Sequence, residues 1–175
     1  GRTLVRVFRP HDVNVWIRTT IGYEPMSRIH ANGIFEWRGE FPPEMPYRLR
    51  IEAKGDTQSV YETYDAYAFP LQISDHDVYL FNEGKLRQAY RMLGAQRVRN
   101  SGVDGVRFSV WAPNAGRVSV VGDFNRWDGR IHPMAVHHAS GVWELFIPDL
   151  PPNALYKYEI RNRDSGEIVL KTDPY

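Results

Sequence analysis

Trp127 stands among polar residues, Asp123-Phe124-Asn125-Arg126-Trp127-Asp128-Gly129, directly after an apolar segment. An exposed indole can stack on the C–H face of a pyranose ring. Amides, carboxylates and ammonium groups can bind the hydroxyls at its rim. Asn125, Trp127 and Asp128 supply those types on one loop, and Lys157 stands on a strand-like segment within reach of a hydroxyl. These four are the candidate substrate-binding residues. A second reading folds Trp127 over a domain edge as a cap on the core, with Asp123 and Asn125 shaping the turn. Residue types and spacing leave both readings open.

Other chemistries find less support. Cleavage or transfer of a glycosidic bond generally needs two carboxylates facing each other across a cleft. Asp123, Asp128, Glu144 and Glu36 qualify by type alone and stand in no recognisable catalytic motif, so no catalytic residue is assigned. His132, His137 and His138 lack the ordered acidic or cysteine partners of a metal site. They read as solvated loop histidines, and neither metal nor cofactor is expected. There is no Gly-rich phosphate loop and no Gly-x-Ser-x-Gly elbow. A net charge of +1 gives no electrostatic case for nucleic acid or a membrane. No apolar run reaches transmembrane length, and the first residues do not form a signal peptide. The absence of cysteine excludes disulfides and fits a reducing cytoplasm, the expected compartment.

The elements that must position these groups are strands. Val106, Phe108 and Val110 alternate with Arg107, Ser109 and Trp111, the period of a strand. Pro113-Asn114-Ala115-Gly116 is a turn, and residues 118–121 are a second strand leading into the Trp127 loop. Trp111 and Trp143 lie within strand patterns and are expected in the core, and Trp16 and Trp37 read as structural. In the first half, residues 4–10, 13–17, 34–37 and 47–52 read as four more strands, separated by Gly, Pro and Asn turns.

The two halves repeat one plan. Residues 30–36, His-Ala-Asn-Gly-Ile-Phe-Glu, match residues 138–144, His-Ala-Ser-Gly-Val-Trp-Glu. Phe41-Pro42-Pro43 matches Leu150-Pro151-Pro152, Tyr47 to Ile51 matches Tyr156 to Ile160, and Asp65-Ala66-Tyr67 matches Asp173-Pro174-Tyr175, always at an offset of 108 or 109 residues. This pattern predicts a tandem duplication of one β-sandwich. Only the second copy carries the Trp127 loop. Between the copies, Ser74-Asp75-His76-Asp77 suits a helix entry. Leu86, Ala89, Tyr90 and Leu93 share a helical face, with Gly94 placed to end the helix. The fold class is therefore all-β: two immunoglobulin-like sandwiches, residues 1–70 and 102–175, joined by a linker over 71–101 with one short α-helix. The chain opens inside a strand pattern and closes where an onward connection should begin, as expected of a fragment.

The stretch Phe108 to Gly129, FSVWAPNAGRVSVVGDFNRWDG, resembles the start of a family-48 carbohydrate-binding module. Asp65 to Pro70, Tyr79 to Gly84 and Lys171 to Tyr175 extend the resemblance across the chain, to the N-terminal region of bacterial glycogen branching enzymes. The resemblance implies a sandwich, the family-48 module, then a catalytic barrel of glycoside hydrolase family 13 with its own Asp and Glu outside these residues. Such enzymes cut an α-1,4-glucan and rejoin the piece through an α-1,6 bond in glycogen biosynthesis. The implied partners are α-glucan (glycogen or maltooligosaccharides) and the barrel of the same polypeptide. The implied role is non-catalytic, holding glucan and bracing the barrel. In the related glycogen-binding module of AMP-activated kinase, two Trp and a Lys grip the sugar. Trp127 matches the first Trp and Lys157 the Lys, but residues 161–168 offer no second aromatic. Three other roles stay open: a scaffold without sugar contact, a module that recruits a protein partner, and an accessory module of a debranching enzyme.

Overall fold

Alternating apolar residues bury one side of each strand, and two such sheets facing each other close a core. The computed structural model describes residues 2–40, 42–55, 59–137 and 140–175, and it divides into two compact units, Gly1–Phe69 and Pro70–Tyr175.

The first unit contains β1 (Thr3–Phe8), β2 (Asp12–Thr19), β3 (Gly22–Pro25), β4 (Ser27–His30), β5 (Ile34–Gly39), β6 (Arg48–Ala53) and β7 (Val60–Tyr64). They form two antiparallel sheets, ordered β1-β5-β4 and β3-β2-β6-β7. Val15 and Ile17 of β2 face the core with Phe35, Leu49 and Ile51, while Asn14, Trp16 and Arg18 alternate onto the opposite face. The four strands expected here are present. β3, β4 and β7 were not expected, because Gly22-Tyr23-Glu24-Pro25 and the mixed run Val60–Tyr64 lack apolar alternation. Their backbones pair with β2, β5 and β6 instead.

The second unit opens with α1 (Asp75–Asn82) and α2 (Ala89–Met92). Then come β8 (Gly94–Asn100), β9 (Val103–Trp111), β10 (Ala115–Gly122), β11 (Ala135–His137), β12 (Val142–Pro148), β13 (Tyr156–Asn162) and β14 (Ile168–Lys171). Its sheets run β11-β12-β9-β8 and β10-β13-β14. Ser74 caps α1 through its hydroxyl, which accepts from the Asp77 N–H at 3.1 Å, as the helix-entry cluster suggested. The helix expected over residues 85–94 shrinks to the single turn of α2. Gln88 before it adopts a non-helical backbone, and Leu93 after it is already extended. The spacing of apolar residues there serves docking instead. Ile73, Val78, Met92 and Leu93 pack with Val142, flanked by Phe81 and Leu86. Residues 71–93 thus cover the outer face of the β11-β12-β9-β8 sheet, and β12 is buried along its whole length.

Trp143 is buried as expected, and its indole donates to the Ala112 carbonyl at 3.0 Å. Trp111 is not in the core: it is 54% exposed. It shares the β9 face of Arg107 and Ser109, which bond to carbonyls of residues 91 and 92 rather than facing the sandwich interior. Its indole N–H bonds to the Ser140 carbonyl at 3.0 Å, and its ring meets Phe81 edge-on.

The two units share local anchors. Gly33 and Gly141 both have positive φ and sit where an added Cβ would meet the Cα of Pro10 or Pro113 at 2.4 or 2.6 Å. Tyr47 donates to Asp65 at 2.5 Å, and Tyr156 to Asp173 at 2.6 Å.

Candidate functional site

β10 delivers the chain to the Trp127 loop. Val118 and Val120 are fully buried, and the strand ends at Gly122, where a 3-10 turn (Asp123–Asn125) begins. Arg126 and Trp127 then adopt left-handed backbone at φ 57° and 58°. Two adjacent non-glycine residues in this region carry a conformational cost of about 1–2 kcal/mol each, and such strain concentrates at functional positions. Here it is held by the Trp127 N–H donating to the Gly122 carbonyl at 2.9 Å and by the indole N–H donating to Asp123 Oδ1 at 2.8 Å. The result is an indole 40% exposed yet fixed at both ends.

Asn125 turns inward and is 3% exposed. Its Oδ1 accepts from the Gly122 N–H at 2.9 Å, and its Nδ2 donates to the Val120 carbonyl at 2.8 Å. The second amide hydrogen meets His132 Nδ1 at 2.9 Å, which assigns His132 the Nε2–H tautomer. Asn125 therefore has no free group to offer a ligand, and it shapes the loop. Asp128 binds Arg130 through both oxygens, at 2.9 and 2.7 Å, with its side chain 14% exposed.

The loop closes by returning to the free edge of β10. The Val120 N–H donates to the His132 carbonyl, and the Met134 N–H to the Val118 carbonyl. In between, Gly129 lies on the outer face of β13, where an added Cβ would stand 2.1 Å from Glu159 Oε1. Glu159 is paired with Arg117. Lys157 projects from the same face of β13, two residues before Glu159 and opposite Val121. Its ammonium has no hydrogen-bond or ion-pair partner among the described residues. Lys157 and Glu159 share one face of β13, over which Gly129 of the loop lies, and Asn125 and Asp128 support the loop. Residues 163–166 form a turn in which Asn162 Oδ1 accepts from the N–H groups of Asp164 and Ser165, without an aromatic.

Each carboxylate weighed for catalysis is engaged with partners of its own. Asp123 holds the Trp127 indole and Asp128 holds Arg130. Glu36 is buried under Arg6 and Arg38. Glu144, fully buried in β12, accepts from the backbone N–H groups of Gln72 at 2.7 Å and Ile73 at 3.2 Å, and contacts His137 Nε2 at 2.8 Å. Burial alone would raise this carboxyl. The His137 bond and the two backbone donors outweigh it and hold the carboxyl below its ordinary value. His132 and His137 are accordingly structural rather than solvated, while His138 lies outside the described residues. Among the described residues no three His, Cys, Asp or Glu converge as a metal site, and no helix is long and apolar enough to cross a membrane. The signal that sequence reading missed was the alternation itself: it groups Trp111 with Arg107 and Ser109, away from the core.

Residues 92–175 match the family model of carbohydrate-binding module 48 (isoamylase N-terminal domain), and residues 1–67 match that of the alpha-1,4-glucan branching enzyme GlgB, N-terminal domain. The chain is 64% identical over its whole length to the 1,4-alpha-glucan branching enzyme GlgB of Nitrosospira multiformis, covering 24% of that protein. It is 67% identical over 98% of its length to GlgB of Nitrosomonas europaea, covering 23%. GlgB of Rubrobacter xylanophilus is 46% identical, with the whole of this chain and 24% of that protein covered. The chain therefore spans about a quarter of the length of the curated relatives it matches. Among solved structures, a pullulanase from Anoxybacillus sp. LM18-11 aligns over 99% of this chain and 24% of its own, at 16% identity and a TM-score of 0.39.

Proposed function

We propose that the chain is the N-terminal region of a GlgB-type branching enzyme, with the family-48 module in its second unit, and that it binds α-1,4-glucan and presents it to a catalytic domain of the same polypeptide. The chemistry of cutting and rejoining glucan as α-1,6 branches, in glycogen synthesis in the cytoplasm, falls to a barrel of glycoside hydrolase family 13 whose Asp and Glu lie outside these residues. This region holds the chain to be transferred and braces that barrel. By itself it should form no branches.

The observation that carries the reading is the pre-set indole of Trp127. A ring fixed through Asp123 and its own backbone loses little freedom on stacking against a glucose face. Lys157, without a partner among the described residues, supplies the hydroxyl donor. Asn125 and Asp128 act one step back by holding the loop. Titration of the 175-residue chain with maltoheptaose, followed by Trp fluorescence, tests this. Trp127→Ala should lower the affinity about tenfold, the scale of one lost stacking ring. Saturable binding of equal strength in the variant would refute this site. A scaffold without sugar contact is the second reading, favoured by the inward commitment of Asn125 and the missing aromatic at 161–168. It predicts no maltoheptaose binding at all.

A further inference from the structure

Four of the five tryptophans have their indole N–H engaged: Trp37 with Glu24, Trp111 with Ser140, Trp127 with Asp123 and Trp143 with Ala112. Trp16 is the exception among the described residues. It lies half-buried on β2, on the face opposite Val15 and Ile17, cross-strand from Pro25 and Arg50. Core packing does not explain its position, and no hydrogen bond fixes its N–H.

Its neighbours on that face are polar and paired. Asn14 donates to Glu52 at 2.8 Å, and Arg50 bonds Glu62 at 3.1 Å. The Arg50 guanidinium also lies over the Tyr23 ring at 4.1 Å. Glu52 keeps acceptor positions beside its bond to Asn14, Glu62 keeps them beside its interactions with Tyr23 and Arg50, and the Arg50 guanidinium keeps further donors. Charges of both signs offset one another locally, which suits a neutral polyhydroxylated ligand better than a polyanion. Register gives a second argument. Val15 pairs with Ile51 in the first unit as Val118 pairs with Ile160 in the second. Trp16 and Arg50 therefore occupy the positions of Ser119 and Glu159, on the sheet face over which the Trp127 loop is laid. The first unit leaves this face open, because its β2–β3 connection is a tight hairpin.

We propose that this outer face of the β3-β2-β6-β7 sheet is a second α-glucan contact surface, with Trp16 as the stacking ring and Asn14, Arg50, Glu52 and Glu62 as hydroxyl partners. The proposal rests on reading the chain as a glucan-binding region, but not on the Trp127 site. Indole N–H resonances of the 175-residue chain, assigned through single Trp→Phe variants, are followed during maltoheptaose titration. The Trp16 resonance should shift saturably, and in Trp16→Ala the weaker of two binding phases should lose about tenfold in affinity. A static Trp16 resonance alongside a shifting Trp127 resonance overturns this proposal and leaves the other site standing. A shifting Trp16 with a static Trp127 supports it and removes the other site instead. If neither moves, both fail. The wild-type titration does not depend on whether Trp16→Ala folds.

Discussion

Replacing Glu144 by Gln should release the segment docked on the second unit. Three donors converge on this buried carboxylate: the N–H groups of Gln72 and Ile73, and His137 Nε2. A carboxamide of the same shape supplies one acceptor oxygen where the carboxylate has two. If the amide nitrogen takes the Oε1 position, it opposes the Gln72 N–H. In the Oε2 position it opposes the Ile73 N–H, even when His137 changes tautomer and accepts. At least one buried donor is stranded, at about 1–3 kcal/mol, and the remaining bonds lose their charge assistance. The expected total is about 2–4 kcal/mol, equal to about 1–2 M in the urea midpoint of the second unit. Exchange of the Ile73 amide should accelerate at least about 30-fold. Glu36→Gln is the internal control. Its partners, Arg6 and Arg38, are themselves 56% and 64% exposed and can turn to water, so its effect should stay below about 1 kcal/mol. An unchanged midpoint together with undisturbed Ile73 exchange in Glu144→Gln would refute the docking role.

The same carboxyl sets a pH dependence. Its native value is held below the ordinary one near 4.5, so the stabilisation is complete above that pH and disappears as pH falls through the lowered native value. Acid titration of Ile73 exchange should show this, and Glu144→Gln should flatten it. Gly129→Ala should unseat the Trp127 loop, since the new Cβ would meet the Glu159 carboxylate. The expected cost is about 1–3 kcal/mol, with weakened maltoheptaose binding, and an unmoved Trp127 indole resonance would count against the seating. Tyr47→Phe and Tyr156→Phe should differ although the positions correspond. Asp65 loses its hydroxyl donor, whereas Asp173 keeps Tyr158 at 3.2 Å. Tyr47→Phe should cost about 1–3 kcal/mol and Tyr156→Phe about 0.5–1.5 kcal/mol, and the reverse order in urea melts would contradict the assignment.

The strands that can be read from sequence are those with one buried face. In β1, β2 and β9 the residues Val7, Val15, Ile17 and Phe108 are buried as the alternation predicts, whereas Trp111 of β9, expected in the core, takes the outer face. β3 and β7 could not be read, because cross-strand backbone pairing, and not apolar pattern, makes them strands. The helix expected over residues 85–94 had correct spacing, but its apolar residues found a sheet to cover, and docking overrode propensity. At the site, the type of Asn125 suited a sugar contact equally well as a loop brace. Only the convergence of Gly122, Val120 and His132 on its amide distinguishes the two roles, and those partners have no local signature.

The two units differ locally at the Trp127 loop. Met26 and Met134 are both buried, and each N–H donates at 2.8 Å to the second strand of its unit, to Val15 and Val118 respectively. The chain is therefore tied down at the same place in both units, and only the path between the anchors differs. In the first unit that path is the short hairpin into β3. In the second it is five residues longer, enough for the 3-10 turn, two left-handed residues and the crossing over Glu159. Loop extensions of this size add little closure entropy. An indole can thus be projected above a sheet without disturbing the strands that hold it. The first unit, lacking the extension, keeps its indole on the sheet itself at Trp16. Each unit thus carries a Trp at this place in the fold, Trp16 half-buried on the strand itself and Trp127 40% exposed on the loop.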